Sequence, residues 1–369
     1  MRPPSDNAAD FLTRLSPFLD VDGGRNLNSI SRELSMPYQT IRFRVLHLKD
    51  IGISIFPIIN TPRLELERTR ASLDLSSDLS DPFPFFQALH QAAGLHYFSR
   101  SLSSNKYDCE FLIPEGKKSE LLKVLRALEE MSFVTNVSAC KLLWKEVCKM
   151  NTKYFDYSTG QWDVDFSRLS SYPHTMSFDY SPYEKANFDQ MDLLIIKSLQ
   201  VDSQVKLVDL AQKLKVTPAD VSYHLKNHVI EKKMLRGFTF QWKGSSDAWA
   251  KHTIMFLTYR FDPLSEESAR HAISIFTSIP FIWNHMRGED GSYMSELIVP
   301  VSYLPETLHY ISESLRKVGL RPSEMSYPDW SCSMNYTIPY SMYDDIKGWK
   351  FNAEESLSHV IQMIGSKEK

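Results

Sequence analysis

Between Lys206 and Leu235 (KLVDLAQKLKVTPADVSYHLKNHVIEKKML) the apolar positions keep helical step on either side of a tight corner. Leu207, Leu210, Ala211 and Leu214 form one stripe, and Val221, Leu225 and Val229 bury a second helix. Thr217 is placed to cap that second helix, with Pro218 at its first position and Asp220 at its third. The same beat runs through residues 26–55 (NLNSISRELSMPYQTIRFRVLHLKDIGISI). There Leu27, Ile30, Leu34, Met36, Ile41 and Val45 match Leu207, Leu210, Leu214, Val216, Val221 and Leu225 at a constant offset of 180. Pro37 stands near the place of the cap Thr217, so the earlier helix starts differently.

After each two-helix unit the pattern reads strand, helix, strand, strand, helix, strand. In the first half the segments are RLELERTRASL, FFQALHQAA, LHYFSRSL, YDCEFLIP, KSELLKVLRALEEM and VTNVSACKLLW. In the second they are KHTIMFLTYRF, SEESARHAISIFTSI, IWNHMRG, YMSELIVPV, PETLHYISESLRKVG and SEMSYPDW. CEFLIP (109–114) matches SELIVP (295–300) at an offset of 186, as Tyr107 matches Tyr293, and Gly160–Trp162 and Gly348–Trp349 close the two halves. The expectation is an α+β chain, a tandem duplication of a winged helix-turn-helix plus a ferredoxin-like βαββαβ domain. Its parts would be a first winged unit (1–62), a first ferredoxin-like body (63–166), a Ser-, Pro- and Tyr-rich linker (167–187), a second helix-turn-helix (188–243), a second body (244–352) and a C-terminal helix (353–369). A shorter break lies at SSDLSDPFP (76–84), and the last helix, AEESLSHVIQMI, has no counterpart in the first half.

A chain of 369 residues suits two to four domains, and 43% hydrophobic with 24% charged residues is ordinary for packed cores in water. No window approaches the ~20 apolar residues of a membrane span, and MRPPSDNAADFLTRL has no signal-peptide segment. Cys109, Cys140, Cys148 and Cys332 show no C-x-x-C pairing, so reduced thiols and a cytoplasmic location are expected. A net charge of −3 excludes a uniformly basic coat, so a nucleic-acid binder would have to concentrate its charge locally.

Such concentration exists. Residues 189–243 carry nine Lys/Arg against six Asp/Glu, and residues 25–70 carry eight against four. Opposite the buried stripe of the second unit lie Ala219, Ser222, Tyr223, Lys226 and Asn227, of a size to meet a DNA groove. Lys232, Lys233 and Arg236 follow as candidate phosphate contacts. In the first unit Gln39, Arg42, Phe43, Leu46 and His47 face outward, with Arg44 beside them. His224 and His228 have metal-ligand spacing, but no cysteine or carboxylate partner is evident in the sequence, so they read as structural or interface residues. The phosphate-loop, zinc-protease, dinucleotide and nucleophile-elbow motifs are absent, so no catalytic residue, cofactor or metal is expected. The aromatic residues lie mostly at core spacing, and Tyr172, Tyr180 and Tyr183 in the linker are expected to pack between the halves.

The run FDQMDLLIIKSLQVDSQVKLVDLAQKLKVTPADVSYHLKNHVIEKKML resembles the N-terminal head of the leucine-responsive regulatory protein (Lrp/AsnC) family, through Asp192, the Leu-Ile-rich helix, the turn at Asp202 and the VTPADVS entry to the second helix. The βαββαβ segment that follows is similar to the family's ligand-sensing, dimerising body. Around the hairpin of that body the first copy keeps Tyr107 and Asp108 but has Asn105 and Ser103 where the family has Gly, and the second keeps Gly291 and Tyr293 but has Met294 in place of Asp. The resemblance implies a non-enzymatic, sequence-specific regulator, with double-stranded DNA as partner and two heads reading two half-sites. It leaves open a small-molecule effector, and either a homodimer or a pseudo-dimer formed within one chain. Siroheme decarboxylases share the architecture, which opens a second reading as a tetrapyrrole enzyme. That resemblance points to His96 in LHYFSR and His285 in IWNHMR, with Arg100 and Arg287 against substrate carboxylates. A protein-interaction module is the third reading.

Overall fold

The structure, a computed structural model, describes residues 11–77, 79, 81–169, 184–242 and 253–365. The linker tyrosines Tyr172, Tyr180 and Tyr183 lie outside the described residues. The chain opens with helices α1 (Phe11–Asp22), α2 (Leu27–Glu33) and α3 (Tyr38–His47) and strand β1 (Ile53–Ile59). Next come β2 (Leu66–Leu75), α4 (Pro82–Ala93), β3 (Leu95–Ser101), β4 (Lys106–Pro114), α5 (Lys118–Glu130) and the long β5 (Val134–Val147). A short hairpin, β6 (Phe155–Asp156) and β7 (Gln161–Trp162), ends this half. The order then recurs: α6 (Gln190–Val201), α7 (Leu207–Leu214), α8 (Pro218–Tyr223) running on as a π-helix (His224–Ile230), and β8 (Leu235–Trp242). The second body has β9 (Ile254–Phe261), α9 (Glu266–Thr277), β10 (Ile282–Gly288), β11 (Tyr293–Pro300), α10 (Leu304–Lys317), β12 (Glu324–Ser326) and β13 (Pro328–Asn335). The hairpin of β14 (Tyr343–Asp344) and β15 (Gly348–Trp349) and helix α11 (Ala353–Gly365) close the chain.

Local chemistry explains the corners. Thr217 and Asp220 form a reciprocal capping box at the start of α8, and Asp189 and Asp192 form another at the start of α6. Gly94 ends α4 in a left-handed conformation, where a Cβ would run into the Leu112 carbonyl, so the tight step into β3 requires glycine.

One antiparallel sheet of nine strands, in the order β12-β9-β11-β10-β5-β2-β4-β3-β13, dominates the molecule. The α+β class expected from the sequence therefore stands. The long β5 pairs with β2 and then, through Leu142–Val147, with β10. β12 and β13, separated only by Tyr327, do the same with β9 and β3. The two edges of the sheet are thus consecutive in the chain, and the sheet curls into a ring. Helices α4 and α5 cover its outer face in one half through Phe85, Phe86, Leu121 and Leu125. α9 and α10 cover it in the other through Ile273, Phe276, Ile311 and Leu315.

Each half also reaches across. Trp162 after β5 packs edge-on against Trp242 and Phe281, and Tyr303 donates to its carbonyl at 2.6 Å. In return α11 lays Val360 and Ile364 into the core under α4 and α5. The helical heads are joined by the ribbon β1–β8, paired from Ile53↔Trp242 to Ile59↔Leu235. Arg25 donates to the Val205 carbonyl at 2.9 Å, and Gln204 donates to that of Gly23 at 2.9 Å. Helix α1, which the sequence pattern does not announce, fills in the first head the place that α6 fills in the second. Pro17 inside it disguises the helical step.

Candidate active site

A cavity of about 480 Å³ lies between the β1–β8 ribbon and the inner face of the sheet. Strand alternation decides what reaches it. On β4, Cys109, Phe111 and Ile113 join the core with α4 and α5, so Glu110 between them points inward. It is only 1% exposed. Lys145 of β5 meets it at 2.7 Å, and Arg68 of β2 forms a close ion pair with its other oxygen. Burial alone would push the carboxyl up, but Lys145 and Arg68 outweigh it and hold Glu110 well below the usual carboxylate range.

The matching position on β11 is Glu296, 186 residues on, also buried and also lining the cavity. Its partners are Arg70 at 2.7 Å, reaching over from β2 in the other half, and the Asn284 amide, which donates at 2.9 Å. Burial again opposes ionisation, and Arg70 and Lys145 overcome it, so Glu296 too is held low. Arg70 is correspondingly raised: desolvation works against its charge, and Glu296 and Asp108 prevail. Beside this charged array Leu142, Met286 and Met294 form a small apolar cluster.

Strands β3 and β10 each slip register near their start, between Leu95 and Tyr97 and between Ile282 and Asn284. The residue inside each slip, His96 or Trp283, lines the cavity. Past the slip Tyr97 pairs with Glu110 and Asn284 pairs with Glu296. By the same register Arg68 sits opposite Leu112 and Phe256 opposite Ile298, so Arg68 and Phe256 also correspond. The cavity is therefore built on matched positions with unlike side chains. One flank carries His96 and Arg68. The other carries Trp283 and Phe256, the latter in ring contact at 5.1 Å, with Trp330 stacked on Phe256 at 5.3 Å and 6°.

His96 Nδ1 is enclosed and makes no hydrogen bond, as is Asn284 Oδ1. Burial, helped by the Arg68 charge, pulls the His96 imidazole down to about 3, so it is neutral near pH 7. All four cationic side chains of the lining are already engaged: Arg68 and Lys145 with Glu110, Lys141 with Glu67 at 2.6 Å, and Arg236 with Glu146 at 2.9 Å.

The residues singled out from the sequence are dispersed. His285 does not join His96. It is fully buried on the helix-covered face, with Nδ1 at 2.6 Å from the Tyr293 hydroxyl and Nε2 at 3.0 Å from Thr277 Oγ1. Its positional counterpart is Phe98, also buried, and the register slip between Ile282 and Asn284 is what turns His285 from the cavity to the covered face. Arg100 pairs with Asp329 at 2.6 Å and Arg287 donates to the Leu264 carbonyl, both away from the cavity. The cavity brings together with His96 five residues that the sequence pattern does not single out: Glu110, Glu296, Arg68, Lys145 and Trp283. The available signal was a glutamate amid apolar strand residues at the same place in CEFLIP and SELIVP.

In the heads, Gln39, Arg42, Phe43, Ala219, Ser222, Tyr223, Lys226 and Lys233 are exposed and Asn227 is half-buried. Arg44 is not available to a groove: it is 9% exposed, lies over the Phe11 ring at 5.3 Å, and its guanidinium reaches Met36 Sδ. Arg236 is tied to Glu146, and Lys232 donates to the Asn187 carbonyl at 2.8 Å, so neither stands as a free phosphate contact. Among the described residues no helix is long and apolar enough to cross a membrane.

No protein-family model and no curated protein matches the sequence. Among solved structures the chain superposes on the siroheme decarboxylase NirDL with a TM-score of 0.54 at 10% identity, covering 97% of this chain and 99% of that one. NirDL in complex with an iron-uroporphyrin III analogue gives a TM-score of 0.52 at 10% identity over 98% and 99%. The likeness supports the Lrp/AsnC-like fold and carries no regulator role with it. The expectation of a non-enzymatic DNA-binding regulator is corrected by this finding, since the solved structures that the chain follows along its length are those of a siroheme decarboxylase. The physical counterpart here is that β1 and β8 wall the cavity as well as bracing the helical heads.

Proposed function

We propose that this chain is a tetrapyrrole-modifying enzyme of the siroheme-decarboxylase kind, and that it removes carboxyl groups from a flat polycarboxylate macrocycle held in the cavity. The observation that carries this reading is the unlike pair of flanks, with an aromatic wall of Trp283, Phe256 and Trp330 opposite His96, Arg68 and Lys145. A planar macrocycle stacks on the aromatic side. One of its carboxylates then competes with Glu110 for Arg68 and Lys145, through charge-assisted hydrogen bonds.

The chemistry needs no external oxidant. The bond between the side-chain carbon and the carboxyl carbon breaks, carbon dioxide leaves, and the electron pair left on carbon takes up one proton. His96 is the residue to hold that proton. Its imidazole is neutral because it is enclosed beside cations, and an arriving carboxylate offsets those cations and raises its affinity for a proton. On this reading the chain is two fused head-and-body units, winged helix-turn-helix plus ferredoxin-like, paired as an intrachain pseudo-dimer. The heads then serve as the roof of the cavity.

Mass spectrometry of siroheme incubated anaerobically with the native chain tests the proposal. The expected product has lost one or more units of carbon dioxide, and His96→Phe forms none while still binding siroheme. Unaltered siroheme, recovered from a folded chain that has bound it, overturns the decarboxylase assignment.

A further inference from the structure

In the second head, outside the cavity lining, four groups from two segments converge: Asp189 and Asp192 at the start of α6, and His224 and His228 on the π-helical run after α8. One ligand atom from each lies within 4.8 Å of all the others. His224 Nδ1 is 2.8 Å from Asp192 Oδ1 and 3.8 Å from Asp189 Oδ1, and His228 Nδ1 is 3.1 Å from Asp192 Oδ2. The two imidazoles cross at 64° with centroids 4.7 Å apart. Asp192 is 0% exposed, and its ion-pair partners among the described residues are these histidines, with no lysine or arginine.

We propose that this cluster is a structural site for a divalent transition metal of the zinc class, held by two imidazole nitrogens and two carboxylates. Tetrahedral zinc with bonds of ~2.0–2.1 Å places its donors about 3.3 Å apart, and the separations here straddle that value. A nitrogen-and-carboxylate donor set suits zinc better than calcium or magnesium. The electrostatics agree. Asp192 is withdrawn from water, and a carboxylate so placed needs a counter-charge, which a dication supplies. The backbone agrees as well, since π-helical turns are uncommon and recur at functional sites. The ion would fasten α6 to the second helix of the unit. The same end of α6 is held against the β14–β15 hairpin, where Gln190 donates its backbone N–H to Asp345 at 2.7 Å and Tyr343 donates to the Phe188 carbonyl at 3.1 Å. The inference does not depend on the cavity's chemistry.

The test is a titration of chelator-treated full chain with Co²⁺ and then Zn²⁺, followed by visible absorption and elemental analysis. The expected result is one equivalent of cobalt with the intense ligand-field bands of a tetrahedral site, displaced by one equivalent of zinc. His224→Gln and His228→Gln, made singly and together, should each weaken zinc by about a hundredfold or more, because each removes a direct ligand. His309→Gln, an exposed histidine elsewhere, should leave the titration unchanged. The single variants keep the test open if the double variant does not fold. A folded native chain that takes up neither ion overturns the site, as does zinc affinity unmoved in the folded single variants. Either result would make the cluster a hydrogen-bonded Asp–His pair of contacts only.

Discussion

Glu110 and Glu296 occupy the same place on matching strands, each turned into the ring and each ionised against its burial by cations. Glu110→Gln preserves shape but leaves Arg68 and Lys145 facing each other without a carboxylate. Removing one side of so enclosed a group is expected to cost about 3–5 kcal/mol, read as a lower urea midpoint. A loss within the scatter of surface substitutions would show that the cluster is hydrated.

The same two carboxylates give stability a direction in pH. Both are depressed in the folded chain, so their contribution is complete above the ordinary carboxylate range near ~4 and is lost as pH falls through it toward their folded values. Unfolding free energy should therefore fall between neutral pH and pH ~3, and more steeply for the native chain than for Glu110→Gln. Parallel curves would sink this linkage.

Arg70 joins the halves by pairing with Glu296 at 2.7 Å. Arg70→Met alone strands a buried carboxylate and should cost about 3–5 kcal/mol, while Arg70→Met with Glu296→Met should recover most of it. A double-mutant cycle by denaturation measures the coupling. Strictly additive losses would mean the pair does not act as a unit.

Trp283 is positioned to stack a planar ligand, with Phe256 and Trp330 beside it. Trp283→Ala should weaken macrocycle binding by about two- to tenfold, in line with an aromatic contact of ~0.5–1.5 kcal/mol. Fluorescence quenching of the remaining tryptophans provides the affinity. An unchanged dissociation constant would move the ligand off that wall.

Much of the scaffold was legible because it is written in local periodicity. The segments read as YDCEFLIP and YMSELIVPV became β4 and β11, and the stripes through Leu210 and Val221 became α7 and α8. What stayed hidden depends on long-range pairing. Nothing local announces that β1 lies against β8, or that β5 runs on from one half into the other. The site was half visible for the same reason. His96 stands out in the sequence, yet its matched position on β10 is Trp283, and the register slip there turns His285 into the core. The partner of His224 and His228 is hidden in the sequence because Asp192 lies 32 and 36 residues before them and meets them only in the folded head. The outward faces of the heads are exposed at Lys226 and Arg42, but exposure does not specify a partner.

The most direct measurement is an absorption titration of the purified chain with an iron-uroporphyrin III analogue, repeated with Arg68→Met, Trp283→Ala and His96→Phe. Saturable binding of one macrocycle per chain is expected, with the spectrum shifted and tryptophan emission quenched. Arg68→Met should lower affinity, and His96→Phe should leave it within a few-fold. No spectral change with the native folded chain, or binding indifferent to Arg68 and Trp283 alike, would contradict a tetrapyrrole inside the ring.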